Sequence, residues 1–136
     1  MRRTEVRKEI MADKSYELQG ERIFECATEG ALLRDERDAV ELIRAASGHR
    51  AGMIVIPAER LDGSIFRLKT GIAGAMLQKF VTYQFRVAIL GDISEHLKES
   101  SALKDFVREC NRGSQFWFLA NRDQLEQRLN SSAKTA

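Results

Sequence analysis

The residues best suited to chemistry in this chain lie in one string, FRLKTGIAGAMLQKF, from Phe66 to Phe80. Arg67 and Lys69 supply two cations, Thr70 a hydroxyl, and Gly71 and Gly74 two positions without side chains at the start of an apolar helical repeat. A helix N-terminus carries unpaired amides and partial positive charge, so it attracts anions. Glycines there leave the amides uncovered, and cations just upstream add to the field. The chemistry implied is non-covalent: docking of a phosphate, a carboxylate or a partner's acidic side chain. Alternatively, Thr70 could itself accept a phosphate, adding roughly −1.5 to −2 charges. The same residues have a plainer account. Thr70 is a good N-cap whose hydroxyl can accept from the amide of Ile72 or Ala73, and glycines let a helix approach its neighbouring strand closely. Because glycine costs about 1 kcal/mol in a helix interior, either account must give a reason for it.

Other candidates are weaker. Glu59, Arg60, Asp62, Asp92, Asn121 and Arg122 are expected on the same edge as Thr70. Asp62 and Asp92 have the residue types of an acid–base pair, but a turn residue after each strand explains them as well. His49 follows a helix stop, and His96 lies far from it in a loop with no metal-type neighbours. Cys26 and Cys110 have no CxxC spacing and no activating base nearby in sequence. The Lys69-Thr70-Gly71 triplet lacks the SxxK and SDN partners of serine β-lactamases. It also lacks the glycine that precedes the lysine of a P-loop, where Leu68 stands, and Gly71-x-x-Gly74 is too short for a dinucleotide fingerprint. The sequence thus names no catalytic residue, no metal ligand and no cofactor. An enzyme is the less favoured reading.

These residues need elements to position them. YELQGERIFECA reads as two strands joined at Gln19-Gly20-Glu21. LLRDERDAVELIRAASGHR reads as a helix capped by Asp35 and stopped by Gly48. GMIVIPA is a continuous β-branched run, as expected of a buried parallel strand ending at the lone proline, Pro57. A helix over Gly71–Thr82 follows, then the strand FRVAILGD, then the helix SALKDFVRECNRG with Ser101 as its cap and Gly113 as its stop. SQFWFLA is the last strand, with Phe116 and Phe118 on one face and Trp117 on the other. NRDQLEQRL closes the chain as a helix, with Asn121 and Gln124 in capping-box register. The order β-β-α-β-α-β-α-β-α predicts an α/β fold: one mostly parallel sheet with an antiparallel N-terminal edge strand and right-handed crossovers. Residues 1–14 read as a disordered or loosely helical arm, 15–130 as a single domain and 131–136 as a frayed tail. Met11 is an alternative start to Met1. If the strands lie in sequence order, the intervening helices share one face. The other face then needs a cover: a swapped helix, the arm, or a second copy of the chain in a homodimer.

With 136 residues the chain can bury a core without staples. Its net charge of +2 gives no general drive towards nucleic acid, and QFWFLA has no basic residue to make an aromatic stacking platform for single strands. No apolar run approaches a membrane span, no secretory h-region is present, and the two cysteines suit a reducing compartment. The expectation is a cytoplasmic protein that binds neither nucleic acid nor membrane.

The element order, with a Thr-Gly step opening the helix after the second strand–helix unit, resembles the STAS domain of anti-sigma factor antagonists and sulphate transporters. Thr70 falls where that family carries its phosphorylated serine, while Leu68 and Lys69 replace the family's Asp-Ser pair. The resemblance implies a regulatory, protein-binding module. The strings LKTGIAGAMLQKFVTYQFRVAILGDIS and LKDFVRECNRG are similar to a bacterial family known as domain of unknown function 4180, over about Tyr16 to Leu129 and most specifically over Leu68–Asp92. That resemblance implies a domain boundary and no activity. The functional expectation is a non-enzymatic interaction module acting through Thr70 and the helix start on a protein partner. The alternative is a binding protein or enzyme for an anionic or phosphate-bearing small molecule at the same edge.

Overall fold

A computed structural model describes residues 13–135. Strands β1 (Lys14–Leu18) and β2 (Glu21–Glu25) form an antiparallel hairpin turned at Gln19–Gly20. Helix α1 (Glu36–Gly48) returns the chain to β3 (Met53–Pro57), and α2 (Ile72–Thr82) to β4 (Arg86–Leu90). Two helices, α3 (Ser94–Glu99) and α4 (Ser101–Arg112), lead to β5 (Phe116–Leu119), and α5 (Arg122–Thr135) closes the fold. The five strands lie in sequence order, with β2 to β5 parallel and only the β1–β2 pair antiparallel. This is the α/β architecture that the alternation of patterns predicts.

Sequence order fixes which residues meet. Right-handed crossovers place α1, α2 and α4 over one face. There Phe24, Ile54, Ile56, Val87 and Ile89 join Ile43, Phe80 and Leu103 in the larger core. Alternate strand residues turn to the opposite face, where Ile23, Met53, Val55, Ala88 and Trp117 form the second core. Trp117 pairs with Ala88, and Ala88 with Val55, so a large ring sits beside a small side chain. The cover for this face comes from the same chain. Helix α5 crosses it and buries Leu125 and Leu129 on the sheet. Trp117 is 1% exposed within a single chain. The argument for a second subunit, which required an uncovered face, therefore loses its basis.

Polar groups guard the ends and the edge. Asp35 accepts from the amides of Arg37 and Asp38 at the start of α1. Asn121 accepts from the amide of Gln124 (3.0 Å), and Gln124 reaches back to the amide of Ala120 (2.9 Å), close to the expected capping box. The side-chain amide of Asn111 accepts from the Phe118 N–H (2.7 Å) and donates to its carbonyl (3.2 Å). It thereby satisfies both backbone groups of Phe118 on the free side of edge strand β5, where another strand could otherwise pair.

Several boundaries differ from expectation. Ser100, not Ser101, caps α4: its hydroxyl accepts from the Leu103 amide at 3.0 Å. A further helix, α3, precedes it in a segment too short for periodicity to reveal. Gly48 is the last residue of α1, and the left-handed residue beyond it is Arg50, with φ of 58°. Strand β1 begins at Lys14, inside the expected arm, whose residues 1–12 lie outside the described ones. Helix α5 runs on to Thr135 through the expected tail.

If α5 is the cover of the second face, Leu125→Ala should cost about 2–5 kcal/mol in urea unfolding. A loss below about 1 kcal/mol would mean that the helix lies on the sheet without contributing to its burial.

Candidate functional site

Between β3 and α2 the chain advances through three single 3-10 turns, Ala58–Arg60, Gly63–Phe66 and Leu68–Thr70. Each has an anchor. Arg60 donates to the carbonyls of Ala27 (2.6 Å) and Ala31 (2.9 Å), tying the first turn to the loop before α1. The Asp62 carboxylate accepts from the hydroxyl and amide of Ser64. Those two bonds, followed by the fields of Arg34 and Arg67, hold its pKa below the usual carboxylate value. Ile65 and Phe66 are buried, so the second turn is pinned to the core.

The third turn ends in the candidate site. Thr70 Oγ1 donates towards the carbonyls of Arg67 (2.9 Å) and Ser64 (3.2 Å) and accepts from the amide of Ile72 (3.2 Å). The expected acceptance from Ile72 is therefore present, but Thr70 is not the N-cap. That position belongs to Gly71, at φ 75°, ψ −1°. Chain direction reverses there in the left-handed region, where a Cβ is strained. The first intrahelical bond of α2 runs from the Ala75 amide to the Gly71 carbonyl (3.1 Å). The amides of Ala73 and Gly74 ahead of it have no partner among the described residues.

Gly74 overturns the close-packing account. It is exposed, and a Cβ built on it would meet nothing within 4 Å. No strand, helix or side chain requires a glycine at this place. Arg67 and Lys69 are also exposed, and their charged groups make no side-chain hydrogen bond or salt bridge among the described residues. The first turn of α2 is a solvent-facing patch of bare backbone, with the exposed cations Arg67 and Lys69 just upstream in the chain.

The remaining candidates have local surroundings of their own. Asp92 accepts from the amide of Ser94 (2.9 Å) at the start of α3, and its pKa is lowered by the hydroxyl and amide of Ser94 and then by Lys98. No hydrogen bond or ion pair joins it to Asp62 or to Thr70 among the described residues; each of the two carboxylates closes the turn at its own loop. The His96 ring stacks on Phe66 at 4.1 Å, and His49 lies against Phe24 at 5.0 Å. Burial pushes the Cys26 thiol up to about 12 and raises that of Cys110, the reverse of an activated nucleophile. No group of three or more His, Cys, Asp or Glu residues is placed to hold a metal among the described residues. Among them, too, no helix is long and apolar enough to cross a membrane.

One cluster had no signal in the sequence. The Tyr16 hydroxyl donates to Glu25, Arg122 pairs with the same carboxylate, and the Arg122 guanidinium sits 4.9 Å from the centre of the Tyr16 ring. Burial, then the bond to Glu25, raises the Tyr16 pKa. The cluster latches α5 to the hairpin. It depends on strand register and on the return path of α5, neither of which a one-dimensional pattern carries.

A single sheet in sequence order, with a glycine-marked helix start exposed just after two exposed cations in the chain, defines the class as an α/β domain with an open helix terminus. The chain matches the family described as Domain of unknown function (DUF4180) over residues 18–129 and belongs to it. No curated protein and no solved structure matches the chain.

The two glycines should respond oppositely to the same change. Gly71→Ala should destabilise by about 1 kcal/mol or more through left-handed strain. Gly74→Ala should stabilise by about 0.5–1 kcal/mol through helix propensity. Chemical denaturation of both variants checks this, and a destabilising Gly74→Ala would restore a packing role for that residue.

Proposed function

We propose that this protein is a non-enzymatic, cytoplasmic interaction module of regulatory type, which presents the Arg67–Gly74 turn to an anionic group on a protein partner. The observation that carries the reading is the exposed Gly74, which has open space where its Cβ would be. A residue that weakens its helix without relieving any contact in the fold is explained if a partner's backbone or acidic side chain must come close to the Ala73 and Gly74 amides. Arg67 and Lys69 would meet the charge, and the helix end would add its partial positive field. The resemblance to STAS domains in element order and in the Thr-Gly step supports the same edge.

The charge in this reading arrives on the partner. The Thr70 hydroxyl already closes the turn by donating to loop carbonyls and accepting from Ile72. A phosphate there would remove the donor and place negative charge where the partner's anion docks, so modification of Thr70 would switch the contact off.

Titration of 15N-labelled protein with a hexaglutamate peptide tests the reading. Amide shifts should concentrate at Gly71–Gly74, fall severalfold in the double variant Arg67→Ala/Lys69→Ala, and vanish in Thr70→Glu. Shifts elsewhere that survive the double variant would contradict it. A thermal shift of several degrees with a nucleotide, a sugar phosphate or phosphate, lost in Arg67→Ala, would instead move the site to the small-molecule class.

A further inference from the structure

A second feature adjoins the docking turn along the flank of α2 and shares Ala73 with it. Helix α2 packs beside α1, whereas α4 lies over β5 beside α3, and the two do not close on each other. Between them, above β3, β4 and β5, is a cavity of about 30 Å³, and with its solvent mouth the empty space is about 450 Å³. Phe66, Phe80, Phe106, Phe116 and Phe118 line it, five of the chain's seven phenylalanines. The other lining residues are aliphatic or methionine, and no polar surface is presented.

An empty apolar space is costly, because the atoms around it lack partners on one side. Water does not relieve that cost where nothing can hydrogen-bond to it. The usual remedy is for the flanking helices to settle inwards; here the rings that line the space have packing partners of their own beside it. Phe66 is held against the His96 ring. Phe116 and Phe118 lie 5.4 Å apart on the strand, and Phe106 leans on Phe118 at 6.3 Å with ring planes 68° apart. On α2 the wall includes Ala73, a small side chain at the half-buried rim. The rings of Phe106, Phe116 and Phe118 are only partly buried, so the rim of the cavity is aromatic as well.

We infer that this cleft is a binding site for a small neutral aromatic molecule. The complete lack of polar lining excludes a charged ligand, whose desolvation nothing would offset. The tilted and edge-on rings offer both faces and edges, the two geometries by which a further aromatic ring packs favourably. The enclosed part is smaller than a ring, so a ring-sized ligand must also occupy the open mouth between the helices. The ligand slides between α2 and α4 and replaces solvent contact at the three half-buried phenylalanines.

Indole is a suitable probe, with the charged indole-3-acetate as its control. Saturating indole should raise the thermal midpoint by about 3 °C or more, while indole-3-acetate should not. Ala73→Leu, which projects atoms into the cavity, should abolish the shift, and Leu103→Ala, which enlarges the cavity, should increase it. No shift in the parent protein overturns the inference. So does a shift seen only in Leu103→Ala, since the space would then have been created by the variant, and so does a shift that survives Ala73→Leu.

Discussion

Five strands laid side by side in chain order are the constraint from which the rest of this molecule follows. With parallel strands and right-handed crossovers, every helix between β2 and β5 must lie on one face. The helix after the last strand is then the only remaining described element that can shield the other. That duty falls to α5, a polar helix whose apolar contribution to the sheet is Leu125 and Leu129. The Tyr16–Glu25–Arg122 latch and the Asn121–Gln124 cap explain how so polar a helix is kept in register over Trp117. The same chain order brings the connections that follow β2, β3 and β4 out at the carboxyl ends of the strands, where open α/β sheets carry their sites.

Within that frame α2 has two unlike sides. Its N-terminal turn is fixed from behind by Arg60, Asp62 and Thr70, each bonded to backbone of the preceding loops, so the exposed amides sit on a braced support. Its flank faces the phenylalanine-lined cleft, where Ala73 stands at the rim. One short helix therefore contributes bare, positively polarised backbone at its tip and apolar surface along its side. The two features draw on different chemistry, Coulombic attraction at the tip and dispersion in the cleft, and each can be tested without the other.

The strands and the long helices were legible because their patterns are strong. Met53–Pro57 is buried at every position and reads so, and Phe116, Trp117 and Phe118 divide between the faces as alternation requires. The division of the third crossover into α3 and α4 was not legible, since six residues give no periodic signal and adjacent serines compete for the cap. The cover of the second face was not legible either, because two leucines in a mostly polar run carry no signal of the face to which α5 returns. At the candidate site the sequence drew attention to the string but left open why glycine stands there. Gly71 is explained by a left-handed φ, a property of three turns in succession, and Gly74 by empty space, a property of the folded surface alone.

The central claim is that the first turn of α2 is bare backbone open to solvent. Native-state amide hydrogen exchange resolved by residue tests this most directly. The account predicts that the amides of Ala73 and Gly74 exchange close to the rates of an unstructured peptide, while Ala75 and the residues after it are protected. Strong protection of Ala73 and Gly74 in the free protein would show that those amides are already engaged, and the docking surface would not exist.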